Sequence, residues 1–93
     1  MSEILSILKE NKQRLLAKYP IKSIALFGSH SRGDYRKDSD IDILVELYEP
    51  LGLKFIEMAH ELEDLFESRV DLVSKKGIKP AYLKQIENDL QYV

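Results

Sequence analysis

The sequence has no cysteine and no tryptophan, and only four glycines and three prolines in 93 residues. Without cysteine there is no disulfide framework and no thiolate zinc site. That suits a reducing cytoplasm and is permitted in any compartment. Long hydrophobic runs are missing as well: the apolar stretches are a few residues long, far short of the roughly 20 that a membrane helix needs. The opening stretch, MSEILSILKENKQRLL, is broken by Glu3, Lys9 and Glu10. It lacks the apolar region and small-residue cleavage site of a secretory leader. The expectation is a cytoplasmic protein with no membrane partner. An excess of one charge sign is also absent, since 14 basic residues meet 16 acidic ones for a net charge of −2. Domains that hold nucleic acid by bulk electrostatics are strongly basic, so nucleic acid is not expected as a direct substrate.

What is present is an ordinary globular composition, 44% hydrophobic and 32% charged. A chain of 93 residues suits a single domain, 1–93, with one core and no second lobe for substrate. In residues 2 to 18, Leu5, Leu8, Leu15, Leu16 and Tyr19 follow helical spacing, with Ser2 placed to cap. Pro20 stops that helix. Ile21 to Phe27 is short, apolar and ends at Gly28, which reads as a buried strand. Residues 28 to 39 are a polar loop with one helical turn after Ser29. Residues 40 to 48 read as a strand with Ile41, Ile43, Val45 and Leu47 on one face, and Asp40, Asp42, Leu44 and Glu46 on the other. A helix over 51 to 67, a strand over 70 to 74 and a helix from Pro80 to about 90 follow. The order α-β-α-β-α-β-α predicts an α/β (α+β) domain: a small three-stranded mixed sheet with flanking helices.

Three polar features stand out on this scaffold. Asp40 and Asp42 are two apart, so a strand points both to one side. Two carboxylates that close repel unless a cation lies between them. Oxygen ligands of this kind suit Mg²⁺ or Mn²⁺. Asp71, near the start of the next strand, brings a third carboxylate. Three such groups can hold two ions about 4 Å apart, one activating a hydroxyl and one steadying a leaving pyrophosphate. Gly28-Ser29 directly follows a strand, where a glycine lets the backbone approach a ligand and N–H groups can cradle phosphate. Arg32 suits bidentate contact with a triphosphate. Taken singly, each feature has a bland reading: a strand cap, a turn, a solvated surface arginine. Aspartate is depleted in strands, which weighs against the bland reading for Asp40 and Asp42. Gly-Ser, ten residues, then Asp-x-Asp arises by chance in roughly one chain of this size per thousand.

The stretch GSHSRGDYRKDSDID, residues 28 to 42, resembles the signature of the DNA polymerase β-type nucleotidyltransferase superfamily. Gly-Ser-x-Ser-Arg-Gly followed by Ser-Asp-Ile-Asp-Ile-Leu-Val resembles its minimal (MNT) branch, and the likeness covers nearly the whole chain. It implies the following roles. Asp40 and Asp42 are metal ligands, and Asp71 is the third carboxylate that activates the acceptor. Gly28 and Ser29 form the triphosphate turn, and Arg32 is the motif's arginine. The cofactors implied are two Mg²⁺ ions, with Mn²⁺ as the alternative, and the substrate is ATP. The branch also implies a partner: a HEPN-domain RNase toxin whose tyrosine accepts AMP, with the MNT protein as antitoxin. Transfer to a small-molecule hydroxyl is the alternative enzyme reading. A non-catalytic binding antitoxin is the alternative outside enzymes. A domain this small leaves a homodimer or heterocomplex open. His30 and His60 read as loop and helix-surface residues. Tyr48, Tyr82 and Tyr92 are self-modification sites in principle, and edge packing explains them more cheaply.

Overall fold

The structure, a computed structural model, describes residues 3–93; Ser2, the expected cap of the first helix, lies outside them. Helix α1 (Glu3–Lys18) leads to strand β1 (Ile21–Phe27), a short helix α2 (Ser29–Arg32) and strand β2 (Ile41–Leu47). Helix α3 (Lys54–Phe66), strand β3 (Val70–Ser74) and helix α4 (Pro80–Ile86) complete the expected series.

The C-terminal end departs from expectation. The last helix is shorter than predicted: a 3₁₀ turn at Glu87–Asp89 follows it, and then a strand, β4 (Gln91–Tyr92). The sheet therefore has four strands, in the order β3-β2-β1-β4, not three. The correction has a simple cause. β1 has an edge beyond its pairing with β2, and β4 covers it antiparallel, with Ala25 opposite Tyr92 and Leu26 opposite Gln91. Two residues carry too little periodicity to announce a strand. The sheet is mixed as expected, since β1 and β2 run antiparallel while β2 and β3 run parallel. α3 begins at Lys54, later than position 51, because Gly52 takes a positive φ of 59° in the turn before it. Asp40 falls just ahead of β2 rather than within it.

Both sheet faces are covered, unequally. Leu8 and Leu15 of α1 and Met58 and Leu62 of α3 pack on Ile24, Leu26, Ile41, Ile43 and Val45, forming the main core. Leu44, which the alternation placed beside the aspartates, is buried with Phe27 and Ile86 in a smaller core under α4. Each fully buried Leu or Ile contributes about 1.5–3 kcal/mol of burial, so the main core carries most of the stability. The smaller one positions the aspartate end of the sheet.

α1 and α3 are tied by one carboxylate. Glu61 accepts from Arg14 Nη1, from Lys18 Nζ at 2.8 Å and from the buried Tyr19 hydroxyl at 2.8 Å. Lys18 chiefly, then Tyr19 and Arg14, hold the Glu61 carboxyl below its usual range against the opposing effect of burial. Glu61→Ala leaves the Tyr19 hydroxyl without an acceptor and is expected to cost on the order of 1–2 kcal/mol in urea unfolding. Glu61→Gln, which keeps an acceptor oxygen, should cost less. Because the folded pKa is depressed, this contribution is present at neutral pH. It fades as acid protonates Glu61.

Candidate active site

The C-terminal end of β1 and the N-terminal ends of β2 and β3 meet at one edge of the sheet. Phe27 lies opposite Asp42, and Asp42 lies opposite Asp71. Paired residues on neighbouring strands share a face, so Phe27, Asp42 and Asp71 form one row. Asp42 is half-buried, Asp71 is exposed, and Asp40 is exposed at the entry to β2. The Asp42 carboxyl is pushed up from 3.8 to about 6. Burial is the largest cause, followed by the negative charge of Asp71 and then of Asp40. His30 opposes the shift. Asp42 and Asp71 thus stand opposite each other on adjacent strands, and Asp40 bears on Asp42 through its charge.

A carboxyl whose proton is retained by burial and by its neighbours' negative charge is a group that a cation can take over. The donors are hard oxygens on short side chains, which fit Mg²⁺ or Mn²⁺. Among the described residues no three acidic, histidine or cysteine side chains converge as a complete metal site. Mg²⁺ is commonly held by only one or two carboxylates, with water and substrate phosphates supplying the rest. The pair present is of that kind.

Gly28 serves this corner directly. Its backbone, φ 75° and ψ −154°, lies where only glycine is at ease. A Cβ added there would fall on Asp42 Oδ2 and lie 3.0 Å from Asp42 Cγ. The glycine after β1 is therefore what lets the Asp42 carboxylate lie against the turn. Ser29 follows, half-buried, as the first residue of α2. Gly33 closes that helix at φ 90°, its N–H donating to Ser29 O at 2.8 Å.

Arg32, expected at the triphosphate, is held by two carboxylates. Its Nε donates to Asp34 at 3.1 Å and its Nη1 to Asp89 at 2.8 Å. The Ser31 hydroxyl donates to the Asp89 carbonyl. Residues 31 and 32 thus anchor the C-terminal 3₁₀ turn to α2. Two further residues reach the corner that the sequence reading had not placed there. His30, read as a loop histidine, is half-buried, stacks on Tyr35 with centroids 4.4 Å apart and bears on Asp42. Tyr82, read as edge packing, sets its ring edge-on to Phe27 at 6.4 Å, and its phenol is held above the ordinary value by burial first, then by Asp42 and Asp71. Position 30 next to the Gly-Ser turn was the only signal for the first. Nothing local marked the second. A cavity of about 400 Å³ lies at the opposite end of β2 and β3, between Leu47, Phe55 and Ser74, remote from the aspartates.

The family pattern for a nucleotidyltransferase domain matches residues 3–93 of this chain. The chain belongs to the nucleotidyltransferase domain family. This nucleotidyltransferase is 43% identical over 94 residues to the protein adenylyltransferase MntA of Thermococcus cleftensis, covering all of this chain and 95% of that one. It is 48% identical over 95 residues to the proposed protein adenylyltransferase MJ0126 of Methanocaldococcus jannaschii, covering all of this chain and 97% of the other. Among solved structures it superposes on a proposed minimal nucleotidyltransferase with a TM-score of 0.81 and 33% identity, over 96% of this chain and 92% of that one. It also superposes on a chain from a complex of a tri-AMPylated Shewanella oneidensis HEPN toxin with its MNT antitoxin. There the TM-score is 0.73 and the identity 25%, over 96% of this chain and 70% of that one. The nucleotidyltransferase is thus similar to MntA-type minimal members across its described length.

Proposed function

We propose that this nucleotidyltransferase moves AMP from ATP onto a tyrosine hydroxyl of a HEPN toxin and acts as the antitoxin of that pair. The observation that carries the reading is the Asp42–Asp71 carboxylate pair, flanked by Asp40, directly against the Gly28-Ser29 turn. The similar MntA bears the name protein adenylyltransferase, and the HEPN toxin of the similar complex carries AMP.

In this reading Gly28 and Ser29 receive the triphosphate, because the first N–H groups of α2 have no acceptor within the helix. Arg32 joins them by exchanging Asp34 or Asp89 for a phosphate oxygen. Asp40, Asp42 and Asp71 would hold two Mg²⁺ ions, or Mn²⁺ in their place, with water and substrate phosphates completing their shells. The ions would supply charge neutralisation for the triphosphate and the leaving pyrophosphate. Asp71, the exposed carboxylate of the Asp42–Asp71 pair, faces the acceptor and takes the proton from its hydroxyl. Asp42, packed against Gly28, keeps the phosphate turn and the carboxylates in fixed register. The protein works in the cytoplasm; no helix among the described residues is long and apolar enough to cross a membrane.

The test is intact mass spectrometry of a HEPN protein from the same genome after incubation with this protein, Mg²⁺ and ATP. The expected result is a mass gain of one or more AMP groups on the HEPN protein, lost with Asp40→Asn/Asp42→Asn. A tight complex with no mass gain would replace this reading with a binding antitoxin. No complex and no gain would move the search to small-molecule hydroxyls.

A further inference from the structure

Tyr82 occupies a place in this site that neither the motif nor the roles above account for. Pro80 opens α4 in the β3–α4 connection, and two residues later Tyr82 sets its ring edge-on against Phe27. Phe27, Asp42 and Asp71 stand side by side on three adjacent strands, on the face that α4 covers. Tyr82 therefore lies over the row that contains the two paired aspartates, and the charge of both bears on its hydroxyl. It is also 40% exposed. An open depression of about 590 Å³ adjoins it, rimmed by Lys79 and Lys84.

The other tyrosines are placed differently. Tyr19 is buried and its hydroxyl is engaged by Glu61. Tyr35 stacks on His30 from the loop, and Tyr48 follows the far end of β2. Tyr92 lies opposite Ala25, two residues and about 7 Å further down β1 than Phe27. Among these tyrosines, Tyr82 sets an accessible ring against Phe27, the residue opposite Asp42.

We propose that Tyr82 is itself an acceptor, and that the protein adenylylates its own Tyr82 hydroxyl within the same molecule. This inference rests on the adenylyl-transfer reading above. Tyr82 Oη attacks the α-phosphorus of ATP and forms an O–P bond. The bond from the α-phosphorus to the oxygen that bridges to the β-phosphorus breaks, and pyrophosphate leaves. The phenolic proton passes to the Asp71 carboxylate. The products are O-adenylyl-Tyr82 and pyrophosphate, with no further reactant.

The experiment incubates the whole chain with Mg²⁺ and ATP, with and without the HEPN protein, and maps the modified residue by tandem mass spectrometry. The expected result is one AMP group on Tyr82, absent in Tyr82→Phe, with a rate per molecule unchanged on dilution. Phenylalanine keeps the ring against Phe27, so circular dichroism should show the variant folded. Modification of the HEPN protein with none on Tyr82 overturns this inference and leaves the adenylyl-transfer reading standing. Modification of neither overturns both. A label that survives Tyr82→Phe, or a rate that falls on dilution, overturns the proposal as well.

Discussion

Gly28→Ala is expected to lower adenylyl transfer on the order of a hundredfold or more while leaving a folded protein. Two costs combine at this position. The backbone, φ 75° and ψ −154°, lies outside the range of residues with a Cβ, and holding alanine there costs roughly 1–3 kcal/mol. The added methyl would also take the place of the Asp42 carboxylate oxygen. The carboxylate must swing away from the turn, and with it goes the register between triphosphate and cations. Displacements of about 1 Å at a reacting centre cost around a hundredfold. Gly33→Ala separates the two costs. Gly33 also has a positive φ, 90°, but open space surrounds the position of its Cβ. That variant should lose about 1 kcal/mol of stability with only a small change in rate. Urea unfolding and a labelled-ATP assay on both variants give the comparison. Equal rate losses in the two would mean that backbone strain, not the Asp42 carboxylate, is what Gly28 relieves.

The same corner marks where reading the sequence succeeded and where it stopped. The main core was legible because Leu8, Leu15, Met58 and Leu62 recur at helical spacing, and Ile41, Ile43 and Val45 alternate. Asp42 stood out because acidic residues sit poorly in strands, whereas the period of two did not reach Asp40, which lies just ahead of β2. The joint chemistry of the aspartates was not legible. It depends on the parallel register that sets Asp71 beside Asp42, and no local pattern encodes a register between segments 29 residues apart. Tyr82 reaches the site only because α4 folds back over Phe27. Arg32 meets Asp89 across 57 residues of chain, so its exposed position in the motif said nothing of that partner. β4 escaped for the opposite reason: its pairing is dictated by the edge of β1, not by its own two residues. Local periodicity revealed the elements, and tertiary contacts decided what stood next to what.

Asp42→Asn is expected to make the cation-free protein more stable at neutral pH and to remove its activity. The sign follows from the raised pKa. Asp42 holds its proton up to about pH 6 in the folded chain, against an ordinary value of 3.8. Below 3.8 it is protonated in both states and its native surroundings cost nothing. Between 3.8 and about 6 the unfolded chain ionises first, and stability falls as pH rises. Above 6 the folded protein carries the full penalty of a half-buried carboxylate beside Asp71 and Asp40. Asparagine has no charge to ionise, so its melting temperature should exceed that of the wild type at pH 8. The gap should close as pH falls toward 4. Saturating the site with Mg²⁺ and a non-hydrolysable ATP analogue should reverse the order, since ligand at a thousandfold excess over Kd adds about 4.1 kcal/mol to the wild type. The variant has lost a cation ligand and should gain much less. Its transfer rate should fall on the order of a thousandfold, the scale of several kcal/mol of lost charge stabilisation. The wild type has a matching pH limit: below about pH 6 the proton competes for Asp42, and apparent cation affinity should drop by up to about tenfold per pH unit. Melting curves with and without ligand at pH 4, 6 and 8 decide the matter. A variant no more stable than the wild type at pH 8 without cation would mean that the carboxylates relax apart in solution. The corner would then be assembled by its ligands rather than held ready by Gly28 and the parallel register.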